Sequence, residues 1–437
     1  MRLGATADPR RLALDALLRI ERDRAFANLS LRHTLYENHL SRVDQALLFR
    51  LVYGTISMRM ALDCALENRL SRPVASLTDS IRNILRLGAY QIIYLDKIPA
   101  RAAVDESVKL AHRYGHRGTA GLVNAVLRKI AADPVPNWPS REEDLVSHLS
   151  VRYSHPRFLV ARYLGRLGEA VTEEVLNANN EVPDFCIRAN RLRISAESLQ
   201  ARLLSDGIVA NRGSLAQESL YLDRAPDFAG ELFRGGYFAV QGEASSYVSL
   251  VVDPRPGETV VDLCAAPGGK STHMAELMDN RGSVIAVDSN AKRLELVADN
   301  AARLGTSIVS RLCARVEDIG GSIGEVDRVL LDAPCSGFGV LRHKPDIKYH
   351  RVESDITVLA AIQNDMILRA AHLVRPGGRL VYSVCTTEPE ETENIVGALL
   401  ASRTDFSLDR EVLLGPHTHG TDGFYIAVLQ REESGAR

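Results

Sequence analysis

The sequence predicts a multidomain protein: an all-α N-terminal domain, a small α+β middle subdomain, and a C-terminal α/β domain on a doubly wound, mostly parallel sheet. Three observations predict it. Before Asp133, apolar residues recur at spacings of three and four with almost no alternation. The stretch Asp133-Pro134-Val135-Pro136-Asn137-Trp138-Pro139 then stops that pattern, because its prolines forbid continued helix. From Asp253 onward, short apolar runs alternate with amphipathic stretches, as strands joined by crossover helices do.

The chain of 437 residues has room for two to four domains at about 100–200 residues each. Apolar residues make up 46% and charged residues 25%, the balance of a soluble protein with an ample core. No apolar run approaches the roughly 18–20 residues needed to span a bilayer, and Met1 to Asp8 lacks the apolar core of a secretory signal. The expectation is a cytoplasmic protein with no membrane partner; no oligomer is expected. The six cysteines, at 64, 186, 264, 313, 335 and 385, form no Cys-x-x-Cys pair. That disfavours a disulfide framework or a metal site and leaves burial as the default for each thiol.

The net charge of −2 conceals an asymmetry. Residues 1–140 hold 21 Lys and Arg against 13 Asp and Glu, an excess of +8, and the remainder carries −10. A basic N-terminal domain is the electrostatic footprint of a nucleic-acid partner, although a solvated basic surface would look the same.

In the first domain, expected to span residues 1–138, Asp8-Pro9 ahead of Leu14, Leu17 and Leu18 reads as a helix cap and first turn. Further helices are expected over 42–60, 80–94, 103–114 and 120–130. The segments Leu85-Arg86-Leu87-Gly88-Ala89-Tyr90-Gln91, Ile98-Pro99-Ala100, Val104-Asp105-Glu106, Tyr114-Gly115-His116-Arg117-Gly118 and Leu122-Val123-Asn124-Ala125-Val126-Leu127-Arg128 resemble the helical NusB-type RNA-binding domain. The resemblance covers most of residues 5–135 and implies that the basic excess serves RNA.

Residues 139–250 mix helix and strand. Helix is expected over 157–164, 173–180 and 196–206, and strand over 185–190 and near 237–241, making an α+β RNA-binding or linker subdomain. In the C-terminal domain, 251–437, strands are expected to end at Asp262, Asp288, Leu312, Asp332 and Cys385, with a last one over 423–429. Helices are expected over 270–278, 291–304, 356–373 and 391–401. Arg375-Pro376-Gly377-Gly378 reads as the turn after the third of these.

Ligands of parallel sheets bind at the C-terminal strand ends. There, Asp262-Leu263-Cys264-Ala265-Ala266-Pro267-Gly268-Gly269-Lys270 makes a strand-to-helix turn whose small residues let a ligand approach the backbone. It has neither the P-loop spacing nor the Gly-x-Gly-x-x-Gly of dinucleotide sites. Asp288, at the end of the next strand, suits ribose hydroxyls. A nucleoside cofactor without pyrophosphate fits both features, and S-adenosylmethionine is the candidate. A tight turn capped by an aspartate would read alike.

Two further strand ends each carry a thiol: Asp332-Ala333-Pro334-Cys335-Ser336-Gly337 and Ser383-Val384-Cys385-Thr386. Brought together, they could form a catalytic pair, a disulfide or half a metal site, and pattern alone does not rank one thiol above the other.

These motifs, in this order, resemble those of the RNA (cytosine-5)-methyltransferases. With the NusB-like front, nearly the whole chain is similar to the small-subunit ribosomal RNA methyltransferase B (Sun/Fmu) subfamily. The resemblance implies a Rossmann-like methyltransferase domain and methylation of carbon 5 of a cytosine in 16S ribosomal RNA. Cys385 would be the nucleophile that adds to carbon 6, Cys335 would assist release, and Asp332 would hold the base edge. Cofactor contacts would come from Cys264, Ala265, Ala266, Pro267, Gly268, Gly269, Lys270, Asp288 and Asp332, with no metal. The family's usual adenine-side aspartate aligns here with Ala314, and Asp318 lies four residues on. Cys64, Cys186 and Cys313 are expected in the core, and the basic run Arg342 to Lys348 is a candidate phosphate contact. A non-catalytic RNA-binding assembly factor and a nicotinamide dehydrogenase are the competing classes. The intact Lys270, Asp332, Cys335 and Cys385 argue against the first, and the missing glycine fingerprint argues against the second.

Overall fold

A computed structural model describes residues 8–23, 27–38 and 40–433, so the opening residues 1–7, read as lacking a secretory core, lie outside it. The chain forms two compact units, Met1–Val182 with Leu341–Arg351, and Pro183–Val340 with Val352–Arg437. No described helix is long and apolar enough to cross a membrane.

The first unit is helical. The Asp8 carboxylate accepts a hydrogen bond from the Arg10 amide at 3.0 Å, capping the helix Pro9–Asp23. The helix Asp79–Tyr94 buries Ile84, Leu85 and Leu87 among Leu14, Leu48, Leu51 and Leu127 from neighbouring helices. The expected helix over 42–60 is two helices, Arg42–Ser57 and Arg59–Glu67, broken at Met58. The break is supported from elsewhere: the Ser154 hydroxyl accepts the first-turn amide of Ala61 at 2.9 Å. After the helix Arg117–Ala132, the proline-rich stretch is irregular, and Trp138 is half-buried in it.

In the second unit, β1 (Phe185–Ala189), β2 (Ala210–Arg212), β3 (Ser219–Leu222) and β4 (Phe238–Val240) form an antiparallel sheet in the order β2-β3-β1-β4. The helix Ala196–Ser205 sends Leu199 and Leu203 onto Ile187, Leu220 and Phe238. β2 and β3, of three and four residues, are too short to show alternation in the sequence.

The larger sheet contains β5 (Thr259–Leu263), β6 (Ser283–Asp288), β7 (Val309–Cys313), β8 (Val326–Asp332), β9 (Val374–Val384), β10 (Phe406–Leu414) and β11 (Phe424–Arg431). Its order is β10-β11-β9-β8-β5-β6-β7. The pairs from β9 through β7 are parallel, while β11 and β10 pair antiparallel at the other edge. β10 was not anticipated, because the residues between Phe406 and Leu414 are exposed or half-buried and show no alternation. The Arg375 to Gly378 turn lies inside β9 as a bulge: Val374 pairs with Val326 and Arg379 with Arg328, leaving the intervening residues looped out around Gly377 at φ 73°. Cys313 is exposed rather than core, since it ends the edge strand β7, and Cys64 is only half-buried; Cys186 is buried.

Candidate active site

The cofactor-loop candidates follow β5. Cys264 turns the chain at φ 64°, and the Ala265 amide donates to the Val287 carbonyl of β6 at 2.8 Å. Gly268 sits at φ 97°, and a Cβ there would lie 3.1 Å from the Val297 backbone, so only glycine is unstrained. The helix Gly269–Leu277 then starts. Asp288, 4% exposed, ends β6 and braces the loop: it accepts from the Ala266 amide at 3.3 Å and the Asn290 amide at 2.9 Å, with Arg293 at 3.5 Å.

Beneath the loop, Asp262 is fully buried and accepts from the Ser271 hydroxyl. Burial pushes its carboxyl up to about 7, although Ser271 and Lys270 oppose the shift. Its second oxygen, Oδ1, has no hydrogen-bond partner among the described residues. An orphaned buried acceptor beside a glycine-bearing loop suits a ligand rich in donors, and S-adenosylmethionine offers an ammonium and ribose hydroxyls. The loop residues therefore fit that cofactor. Burial and then the carboxylates of Asp332, Asp262 and Asp288 push the Cys264 thiol up to about 12, so it stays protonated.

The ends of β8 and β9 meet beside this loop. Asp332 pairs with Ser383 in the parallel register. Its carboxylate accepts from Lys270 Nζ and from the Ser383 hydroxyl, each at 2.7 Å. Burial works to lower the Lys270 pKa, but Asp332, with help from Asp262 and Cys385, holds it above its ordinary value. Cys335 lies three residues beyond the end of β8 and Cys385 one residue beyond the end of β9, and their Sγ atoms are 3.3 Å apart. The hydrogen bond to Cys385, then burial, push the Cys335 thiol well above its ordinary range. Cys335 is therefore held as the thiol, and Cys385 lies against it and within the field of the Lys270 ammonium.

Sequence reasoning missed the group that braces both cysteine segments. Glu391, fully buried, accepts from the Ser336 amide at 2.8 Å, from the Ser336 hydroxyl, and from Gln363 Nε2 at 3.0 Å. Its backbone carbonyl takes the Tyr382 hydroxyl at 2.8 Å, and the Ser336 hydroxyl also reaches Thr386 at 3.0 Å. The available signal was an acidic run, Glu388-Pro389-Glu390-Glu391, directly after Cys385-Thr386-Thr387.

Within the basic run after Cys335, the expectation is corrected for Lys348. Leu341–Arg351 belongs to the helical unit, and Lys348 is 2% exposed. Its ammonium donates to Asn180 Oδ1 at 2.5 Å and the Ser57 carbonyl at 3.3 Å, and burial lowers its pKa well below the usual lysine value. A lysine so enclosed does not meet a phosphate. On the adenine side, the Ala314 amide donates to the Asp288 carbonyl at 3.3 Å, and Asp318 is exposed in the short turn Val316–Asp318.

Known proteins share both halves. Residues 249–430 match the family described as 16S rRNA methyltransferase RsmB/F, residues 7–132 the NusB family, and residues 155–229 the ferredoxin-like domain of RsmF/B-like methyltransferases. The probable ribosomal RNA small subunit methyltransferase B of Bacillus subtilis is 36% identical over 97% of this chain and 98% of its own. Ribosomal RNA small subunit methyltransferase B of Pseudomonas putida is 32% identical over 97% and 98%. Among solved structures, PH0851 superposes with a TM-score of 0.84 at 27% identity, covering 99% of this chain and all of that one. NSun6 from Pyrococcus horikoshii, solved with SFG, gives 0.59 at 25% identity over 64% of this chain and 99% of its own. With all three family matches along the chain and relatives above 30% identity over nearly its whole length, the chain belongs to the 16S rRNA methyltransferase RsmB/F family, enzymes that depend on S-adenosylmethionine.

Proposed function

We propose that the protein transfers a methyl group from S-adenosylmethionine to carbon 5 of a cytosine in 16S ribosomal RNA, through a covalent bond between Cys385 and carbon 6. One observation carries the reading: the two thiols lie 3.3 Å apart at adjacent strand ends, beside an Asp332 already held by Lys270.

Carbon 5 of cytosine is a poor nucleophile. Addition of the Cys385 thiolate at carbon 6 turns the ring into an enamine-like species that can attack an electrophilic methyl group. The sulfonium of the cofactor supplies that methyl group. Asp332, fixed by Lys270 and Ser383, holds the base edge and balances charge while the adduct forms. Water at the site takes the carbon-5 proton, the electron pair of that C–H bond reforms the double bond between carbons 5 and 6, and the sulfur–carbon bond breaks with its pair returning to Cys385 as thiolate. Cys335 assists this release, since it carries a proton and touches the departing sulfur. Residues 264–270 and Asp288 hold the cofactor. The basic helical unit and the ferredoxin-like subdomain grip the RNA while the target base flips into the site, and the enzyme works in the cytoplasm where that RNA is.

Incubating the protein with 16S ribosomal RNA and S-adenosylmethionine, then mapping 5-methylcytosine by bisulfite sequencing, tests the assignment. A protected cytosine that depends on the protein is expected. Methyl incorporation with no protected cytosine would overturn the carbon-5 assignment.

A further inference from the structure

The seam between the ferredoxin-like subdomain and the methyltransferase sheet holds a fully buried cation. Arg188, in the middle of β1, and Glu276, in the helix after the cofactor loop, are both 0% exposed, and Arg188 Nη2 donates to Glu276 Oε1 at 2.5 Å. Arg188 Nη1 also donates to the Gly269 carbonyl at 2.9 Å and to Gln241 Oε1. Gly269 is itself part of the 264–270 loop. The guanidinium thus spans that helix from its first residue to its second turn, using three acceptors in different directions. Two residues along the chain, Asn190 pins the same strand to a different place. Its side-chain amide donates to the carbonyls of Gly236 and Leu304, each at 2.8 Å, and Leu304 ends the helix Ala291–Leu304, away from the loop.

Burying a guanidinium without solvent is costly and is offset where its donors are matched; here Nη1 and Nη2 find acceptors, while Nε and Glu276 Oε2 have none among the described residues. Were Arg188 merely a tie between subdomains, Glu276 alone would pair it. The additional bond to Gly269 goes to the backbone at the point where the loop becomes helix, and it fixes the direction of that carbonyl. It therefore also fixes the facing of the small-residue turn before it. A planar guanidinium can hold these acceptors together; a lysine ammonium on a flexible stem cannot hold the same spread.

We propose that Arg188 is a positioning residue for the cofactor loop, so that β1 of the ferredoxin-like subdomain sets the affinity for S-adenosylmethionine. The inference rests on the reading that residues 264–270 hold the cofactor.

Calorimetric titration with S-adenosylhomocysteine, applied to the full chain and its variants, tests it. Arg188→Lys keeps a charge opposite Glu276 and should weaken binding at least about fivefold. Asn190→Ala loosens the same seam without touching the loop and should stay within about twofold of wild type. In turnover, Arg188→Lys should raise the KM for S-adenosylmethionine and leave the KM for RNA unchanged. Should Arg188→Lys not fold, the neutral swap Arg188→Met with Glu276→Gln leaves no unpaired charge and carries the same expectation. Wild-type affinity in the folded Arg188 variant, or equal weakening by Asn190→Ala, would overturn the proposal. Gly268→Val serves as the loop control. If it binds S-adenosylhomocysteine like wild type, the reading of the loop fails. If it loses binding while the Arg188 variant does not, only the role of Arg188 fails.

Discussion

Cys335 Sγ and Cys385 Sγ share a hydrogen bond at 3.3 Å, although fifty residues separate them and each follows the end of a different parallel strand. That bond and burial push the Cys335 thiol well above its ordinary range. Cys385→Ala should therefore abolish methyl transfer and also the covalent capture of RNA containing 5-fluorocytosine, read as a band shift that survives denaturant. Cys335→Ala should still add to the base but release slowly, leaving a long-lived adduct with ordinary RNA. Undiminished turnover in Cys385→Ala, or no adduct in Cys335→Ala, would reverse the assignment.

Lys270 holds Asp332 at 2.7 Å and faces Cys385. Lys270→Met removes the cation that fixes the base-holding carboxylate and favours the thiolate. Single-turnover methylation should fall by about 10²–10³, the usual cost of losing one preorganised charge at a reacting centre. The reactivity of Cys385 toward iodoacetamide, followed against pH by peptide mass spectrometry, should move to higher pH in the variant. An unmoved profile would remove Lys270 from thiolate stabilisation.

The sequence pattern made some of this geometry legible and hid the rest for physical reasons. The ends of β6 and β8 fall at Asp288 and Asp332 as expected, and that of β9 one residue before Cys385, because these buried strands finish as apolar runs that stop at a polar residue. Strand ends then brought the thiols together through the parallel register alone. β10 escaped because an edge strand exposed along its middle has no apolar face to read. Lys348 misled because exposure is the default for lysine, and only the packing of Leu341–Arg351 into the helical unit overrides it. The unequal state of the two thiols depends on burial and on neighbours brought by folding, which no spacing encodes. Glu391 escaped for the same reason, since its partners Gln363 and Ser336 are 28 and 55 residues away.

Glu391 carries the next prediction. Its carboxylate satisfies the Ser336 amide and hydroxyl and Gln363 in a fully buried pocket. Glu391→Ala leaves those donors unpaired, so unfolding by urea should show a loss of about 2–4 kcal/mol. The Ser336 backbone follows Cys335 directly, so release should suffer as well. Glu391→Gln, which keeps the shape, should retain most of the stability yet accumulate more of the covalent RNA adduct than wild type. Equal adduct levels in Glu391→Gln and wild type would confine Glu391 to stability.

Asp262 makes stability depend on pH in a direction opposite to an ordinary paired carboxylate. Burial raises its pKa to about 7, above the value near 3.9 of an unfolded chain. Between these values the native state holds a proton that the unfolded chain has lost. The stabilisation from this group is therefore complete below about pH 4 and is lost as pH rises through about 7. His273, which burial holds well below its ordinary pKa, works in the other direction, losing stability as pH falls, so total stability does not isolate Asp262. The comparison with Asp262→Asn does: the amide keeps an acceptor for the Ser271 hydroxyl and never ionises. On passing from about pH 5 to about pH 8, wild type should lose on the order of 2 kcal/mol relative to Asp262→Asn in urea unfolding. Parallel pH profiles for the two proteins would mean that Asp262 is ionised in the native state throughout, with its Oδ1 served by water.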